Sequence, residues 1–178
     1  MERNVEIKAR IESVDALLRV AAMLADRRPT EMFQDDTFFA CPRGRLKLRA
    51  FSHSEGQLIF YRRPDALGPK ESSYIISPTT SPDTLREALS LAYGQTGRVR
   101  KHRTVFLLGR TRMHLDRVEG LGEFLELEVV LGQHEPVEAG ISIANELLGK
   151  LGVSPRQLIK EAYVDLLSND GRRESRRT

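Results

Sequence analysis

Cys41 is the only cysteine in the chain, so no internal disulfide can form and zinc sites of the CxxC type are excluded. No run of about 18 apolar residues occurs, which excludes a membrane-spanning helix. The opening Met1-Glu2-Arg3-Asn4 runs straight into a strand pattern and leaves no room for a signal peptide; the expected compartment is the cytoplasm. There is no internal repeat and no low-complexity linker. Net charge is also missing from the body of the chain. The last eight residues hold four Arg against one Glu, and without them the 28 Lys and Arg and the 25 Asp and Glu come to equal numbers. The basic pI therefore belongs to a tail, residues 171–178, read as disordered and solvated. Neither a membrane nor a specific nucleic acid is expected as a partner. A charged fraction of 30% beside a hydrophobic fraction of 40% fits a globular protein, and residues 1–170 are read as a single domain.

What the chain does have is charge at every second position. Val5-Glu6-Ile7-Lys8-Ala9-Arg10, Arg45-Leu46-Lys47-Leu48-Arg49, Arg112-Met113-His114-Leu115-Asp116 and Phe124-Leu125-Glu126-Leu127-Glu128-Val129 all alternate. A strand sends successive side chains to opposite faces, so each segment has one apolar and one ionised face. One such strand reads as a solvated antiparallel face. Here the signs are segregated, one strand all basic and another all acidic, which suggests a shared polar cavity.

Eight strands are expected, over 2–10, 34–40, 44–51, 57–63, 71–77, 97–108, 112–119 and 123–132. Hairpins are expected at Cys41-Pro42-Arg43-Gly44, Ser52-His53-Ser54-Glu55-Gly56 and Leu108-Gly109-Arg110-Thr111. Four helices are expected. Ser13 caps the first, which carries Val14, Leu17, Leu18, Ala21 and Leu24 to about Asp26. Ser81-Pro82 opens the second, with Leu85, Ala88, Leu89 and Ala92 inward and Gly94 as its stop. A third spans about 135–150. Ser154-Pro155 opens a fourth that carries Leu158, Ile159, Ala162 and Leu166. This is an α+β fold: an eight-stranded antiparallel β-barrel, or tunnel, with flanking helices. The helices cover the apolar faces, and curling the sheet gathers the charged faces around a wet lumen. Packing those ions dry and unpaired would cost several kcal/mol each.

In phase on the charged faces stand Lys8, Arg10, Arg45, Lys47, Arg49, one or both of Arg62 and Arg63, Lys101, Arg103 and Arg112. Among them stand Glu2, Glu6, Asp36, Asp116, Glu126 and Glu128. Converging guanidinium and ammonium groups call for a polyanion. The carboxylates would repel it unless a hard cation, Mg²⁺ or Mn²⁺, intervened. The two sets read together as a metal–triphosphate site. His114 shares the phase of Arg112 and Asp116 and is read as a supporting hydrogen-bond partner. Gly120-Leu121-Gly122 is read as a hairpin turn, not a dinucleotide fingerprint.

Several segments resemble the CYTH domain, or triphosphate tunnel metalloenzymes, a family that includes class IV adenylyl cyclases and thiamine triphosphatases. They are Asn4-Val5-Glu6-Ile7-Lys8, similar to the family's ExExK strand; Gln34-Asp35-Asp36-Thr37-Phe38-Phe39; Leu46-Lys47-Leu48-Arg49; Tyr61-Arg62-Arg63-Pro64; Lys101-His102-Arg103; and the stretch from His114-Leu115-Asp116 to Glu126-Leu127-Glu128. The resemblance implies that Glu6, Glu126 and Glu128 hold the metal. It implies that Lys8, Arg49, Arg62, Lys101 and Arg103 clamp the triphosphate, helped by Arg45, Lys47 and Arg112. Glu6, Lys8, Asp116 and Glu126 become the expected catalytic residues. The chain departs from the pattern at Asn4, where the motif's first Glu would stand, although the amide oxygen can still ligate. The implied activity is conversion of ATP to cyclic AMP and pyrophosphate. Hydrolysis of thiamine triphosphate, inorganic triphosphate or a nucleoside triphosphate is the alternative, and polyphosphate or nucleotide binding without turnover is a third reading. An exposed sheet edge would encourage a homodimer.

Overall fold

The computed structural model describes residues 1–174. In chain order the elements are β1 (Glu2–Ile11), α1 (Val14–Leu24), β2 (Thr30–Phe39), β3 (Arg45–Ala50), β4 (Gly56–Arg62), β5 (Lys70–Thr79), α2 (Pro82–Tyr93), β6 (Gln95–Leu108), β7 (Thr111–Val118), β8 (Gly122–Leu131), α3 (Val137–Lys150), β9 (Leu158–Ile159) and α4 (Tyr163–Glu174). The first eight strands pair antiparallel in the order β5-β4-β3-β2-β6-β7-β8-β1, and β1 pairs in turn with β5. The sheet therefore closes into a ring with helices flanking it. All three expected hairpins join neighbouring strands, and Gly120, at φ 70°, serves the β7–β8 turn.

Burial decides which face turns outward. Val5, Ile7 and Ala9 of β1, Leu125, Leu127 and Val129 of β8, Met113 and Leu115 of β7 and Phe106 of β6 form one core outside the ring. Val14 and Ala21 of α1 and Ala144, Leu147 and Leu148 of α3 complete it. Each such aliphatic side chain withdrawn from water is worth about 1.5–3 kcal/mol, so the alternate, ionised faces are driven to the lumen. Ser13 caps α1 as expected, its Oγ accepting from the Ala16 N–H at 3.3 Å.

Two expectations are corrected. The fourth helix does not run on from Ser154-Pro155. That segment makes one turn of 3₁₀ helix over Pro155–Gln157, and Leu158 and Ile159 then extend opposite Ala9 and Lys8. The reason lies in β1: β5 pairs with it only from Glu2 to Glu6, leaving backbone groups beyond that point for β9 to satisfy. The second helix exists, but Ala88 and Ala92 are exposed, Leu85 and Leu89 half-buried and only Pro82 buried. Arg86 ties it to the ring instead, its Nε donating to Thr37 Oγ1 at 3.0 Å. The edge argued to favour a homodimer is largely spent on ring closure.

α4 seals one end of the ring. Phe38, Val99, Val118, Leu121 and Phe124 meet its Tyr163 and Val164, with Ala162 just before, in a second apolar cluster. Contact is close at Gly97 of β6, where a Cβ would fall 2.3 Å from Val164 Cγ2; a side chain there would push α4 off the sheet. α4 reaches Glu174, into the segment read as a tail, and residues 175–178 lie outside the described residues. No helix among the described residues is long and apolar enough to cross a membrane.

Candidate active site inside the ring

The ring encloses a cavity of about 290 Å³, near the lower edge of the roughly 300–1,000 Å³ typical of small-ligand sites. Seven cationic side chains line it, Lys8, Lys47, Arg49, Arg63, Lys101, Arg103 and Arg112, against four anionic ones, Glu6, Asp36, Glu126 and Glu128. That excess of positive charge in a confined space favours an anionic ligand.

The register explains the convergence. β1 and β8 place Lys8 opposite Glu126 and Glu6 opposite Glu128; β7 adds His114 opposite Glu126 and Arg112 opposite Glu128. Across the lumen Asp36 of β2 stands opposite Arg49 of β3. It accepts from Arg49 Nε at 2.7 Å, Arg49 Nη2 at 2.8 Å and Lys47 Nζ at 2.9 Å. Burial alone would raise the Asp36 carboxyl, but Arg49 and Lys47 outweigh it and hold the group well below its ordinary range. The same balance applies to Glu126, where Lys8, 3.2 Å away, and Arg103 prevail over desolvation. Glu6 goes the other way: burial, with Glu126 adding to it, raises its carboxyl despite an ion pair to Arg63. Lys101 is 3% exposed; burial and the nearby Arg103 lower its ammonium to about 7.

Among the described residues, five buried polar atoms have no hydrogen-bond partner: Asn4 Oδ1, Gln34 Oε1, Arg63 Nε, Arg63 Nη2 and His114 Nδ1. All five belong to residues lining this cavity. Unsatisfied buried groups are costly and rare in native proteins. Unpaired acceptor oxygens suit a cation or a donor group, and two guanidinium donors suit an anion. One ligand atom from each of His114, Glu126 and Glu128 also lies within 4.8 Å of the others, so the residues present fit a divalent ion.

Of the residues nominated from sequence, Glu6, Lys8, Asp36, Lys47, Arg49, Lys101, Arg103, Arg112, Glu126 and Glu128 all line the cavity. Glu2, Arg10, Arg45, Arg62 and Asp116 do not; Glu2 and Arg10 are exposed, and Arg10 donates to the Leu121 carbonyl at 2.8 Å. Arg62 turns outward and donates from Nε to the Arg43 carbonyl at 3.0 Å, while Arg63, in phase with Ile59 and Tyr61, faces the lumen. Arg45 shares the phase of Lys47, but its guanidinium is held by the Asp165 carboxylate of α4 at 3.0 and 2.7 Å. Asp116 sits behind the cavity wall with no exposure. It accepts from Arg103 Nε and Nη2, both at 2.6 Å, and from the Tyr163 hydroxyl at 2.9 Å. These contacts hold the Arg103 guanidinium in place at the cavity wall. Tyr163 escaped the sequence reading altogether: it comes from α4, and its ring lies 4.0 Å from Lys8 Nζ.

The CYTH domain matches residues 2–163, so it includes every cavity-lining position. The chain belongs to the CYTH domain family. Among curated relatives, the adenylate cyclase CyaB of Aeromonas hydrophila is 25% identical over 174 residues, covering 92% of this chain and 87% of that protein. The PH1012 protein of Pyrococcus horikoshii OT3 superposes with a TM-score of 0.81 at 22% identity, covering 92% of this chain and 98% of that one. HpAC1 from Hippeastrum, an adenylyl cyclase candidate with a dominant triphosphatase activity, superposes with a TM-score of 0.63 at 18% identity, covering 94% and 96%. At these identities the solved structures show that this CYTH chain shares their fold.

Proposed function

We propose that this CYTH protein is a divalent-metal-dependent enzyme that takes a triphosphate into the ring and converts ATP to cyclic AMP and pyrophosphate. The supporting observation is the convergence of seven cationic side chains with unsatisfied donors and acceptors in one cavity; the likeness to an adenylate cyclase over 174 residues supports the cyclase reaction. Lys8, Lys47, Arg49, Arg63, Lys101, Arg103 and Arg112 bind the phosphates and spread their charge. Glu6, Glu126 and Glu128 would hold Mg²⁺ or Mn²⁺, which when bound supplies Lewis-acid neutralisation of phosphate oxygens. The ribose 3′-oxygen forms a bond to the α-phosphorus as its proton passes to a carboxylate of that set. The bond from the α-phosphorus to the bridging oxygen breaks, and pyrophosphate leaves.

The likeness to HpAC1 favours a second reading, attack by water on the terminal phosphorus. Incubation with ATP, thiamine triphosphate or inorganic triphosphate plus Mg²⁺ or Mn²⁺, followed by chromatography, separates the two. Cyclic AMP with pyrophosphate supports the cyclase; orthophosphate without a cyclic product supports the triphosphatase. Binding without turnover under every condition would reduce the protein to a polyphosphate binder.

The Lys101 ammonium, lowered to about 7, gives a pH signature. A bound polyanion favours the charged form, so above pH 7 binding draws a proton onto Lys101 and affinity falls as pH rises. Lys101→Met removes this titration at nearly constant bulk. The wild-type advantage for tripolyphosphate, read by calorimetry, is expected to be largest near pH 6 and to shrink by up to about tenfold per pH unit above 7. Parallel pH profiles for the two proteins would remove Lys101 from the clamp.

A further inference from the structure

His114 of β7 sits opposite Glu126 of β8, is 4% exposed, and has an Nδ1 with no hydrogen-bond partner. That atom lies 3.5 Å from Glu126 Oε1 and 3.9 Å from Glu128 Oε1. Both spacings exceed the ~2.7–3.2 Å of an N–H···O bond. They leave room for an ion between the three side chains, whose ligand atoms lie within 4.8 Å of one another. Of the two oxygens on this side, that of Glu128 is free of cationic neighbours among the described residues, and that of Glu126 has one long contact, from Arg103. Lys8 reaches Glu126 through Oε2 and Arg112 reaches Glu128 through Oε2. The two Oε1 atoms face the imidazole, with Arg103 Nη2 3.5 Å from that of Glu126.

β1 meanwhile offers a weakened ligand set. Asn4 stands where the ExExK pattern has its first carboxylate, and Glu6 is engaged by Arg63. Among the described residues, the side chains that could share one ion are His114 of β7 with Glu126 and Glu128 of β8, a set that contains a nitrogen.

We propose that His114, Glu126 and Glu128 form a mixed nitrogen–oxygen cation site that takes a first-row transition divalent ion such as Mn²⁺ or Co²⁺ in preference to Mg²⁺. Mg²⁺ demands near-octahedral oxygen ligation and keeps its waters. An imidazole raises affinity for the transition metals, along the series that climbs from Mn²⁺ through Co²⁺. Histidine is here a ligand in its own right, in place of the carboxylate missing at Asn4. The inference deepens the proposed function, on which it rests only for placing the ion beside the phosphates.

Pulsed electron paramagnetic resonance of the full chain loaded with Mn²⁺, without and with tripolyphosphate, tests it. A directly coordinated imidazole ¹⁴N coupling is expected in the wild type. Calorimetric affinity for Mn²⁺ and Co²⁺ is expected to exceed that for Mg²⁺ by about tenfold or more. In His114→Gln the ¹⁴N signal disappears and Mn²⁺ and Co²⁺ bind about 10–100-fold more weakly, while Mg²⁺ binding changes less than about threefold. Wild-type Mn²⁺ with no such coupling in either condition overturns the proposal, as does equal loss of Mg²⁺ and Mn²⁺ in the variant. The wild-type spectrum alone decides between these outcomes even if the variant fails to fold. With tripolyphosphate present, ¹⁴N coupling without ³¹P coupling keeps the site and removes the triphosphate reading.

Discussion

Glu126→Gln is expected to cut turnover by about 10³-fold or more, roughly 4 kcal/mol of transition-state stabilisation, while the chain still folds. The carboxylate is 8% exposed and contacts Lys8, Arg103 and His114. It therefore joins the phosphate-binding cations to the cation-binding carboxylates, and an isosteric amide removes the charge that links them. The fold is kept because the amide preserves the volume and touches no apolar core residue, but Lys8, 5% exposed, loses its ion-pair partner, so a moderate fall in melting temperature accompanies the change. Product chromatography against metal concentration reads the first expectation, and a thermal melt reads the second. Full turnover in the variant would take Glu126 out of the chemistry. A collapsed melt would make it a structural ion.

Asp116→Ala should do the reverse, with its main cost in stability. It would leave the Arg103 guanidinium, 5% exposed, without its bidentate partner and the Tyr163 hydroxyl without an acceptor. Breaking one side of a buried ion pair costs about 3–5 kcal/mol. For a chain of this size that is a fall in melting temperature of roughly 6–20 °C. Arg103→Met with Asp116→Leu should recover much of that loss, because neither charge is then buried alone, while triphosphate affinity stays low for want of Arg103. The wild-type pair also carries an acid signature. Although burial works against it, Arg103 and Lys101 lower the Asp116 carboxyl to about 2. Its contribution is complete above the ordinary carboxyl range near 4 and is lost as pH falls through 2. Asp116→Ala should flatten the stability profile over that interval. An unchanged melting temperature would show the brace to be ornamental.

Strands and lumen were readable because one physical rule governs both. Val5, Ile7 and Ala9 had to leave water, so Glu6 and Lys8 had to face the other way. The errors arose where that rule is silent. Arg62 and Arg63 are adjacent, and each phase of β4 carries aromatic and aliphatic residues, Phe60 on one side and Ile59 with Tyr61 on the other. Periodicity could not say which arginine enters. Arg45 has the right phase, but its strand end meets α4, whose Asp165 captures it. Asp116 is also in phase, yet Arg103 of the neighbouring strand lies between it and the cavity. Tyr163 belongs to no strand, so no alternation could bring it to Lys8. The fourth helix was misread because the Ser154-Pro155 signal is genuine but local. It cannot report that β1 has an open edge for Leu158 and Ile159.

The strand that opens the chain finishes its pairing last. Ile7 sits beside Leu127 and Lys8 beside Ile159. During synthesis, at about 5–20 residues per second, β1 emerges and then waits on the order of 6–24 seconds for β8. Over that interval Val5, Ile7 and Ala9 present an uncovered apolar stripe to water or to a chaperone. Such long-range closure also implies folding on the millisecond-to-second scale of β-rich chains rather than microseconds. An N-terminal fragment should hold half of the ligands and none of the affinity.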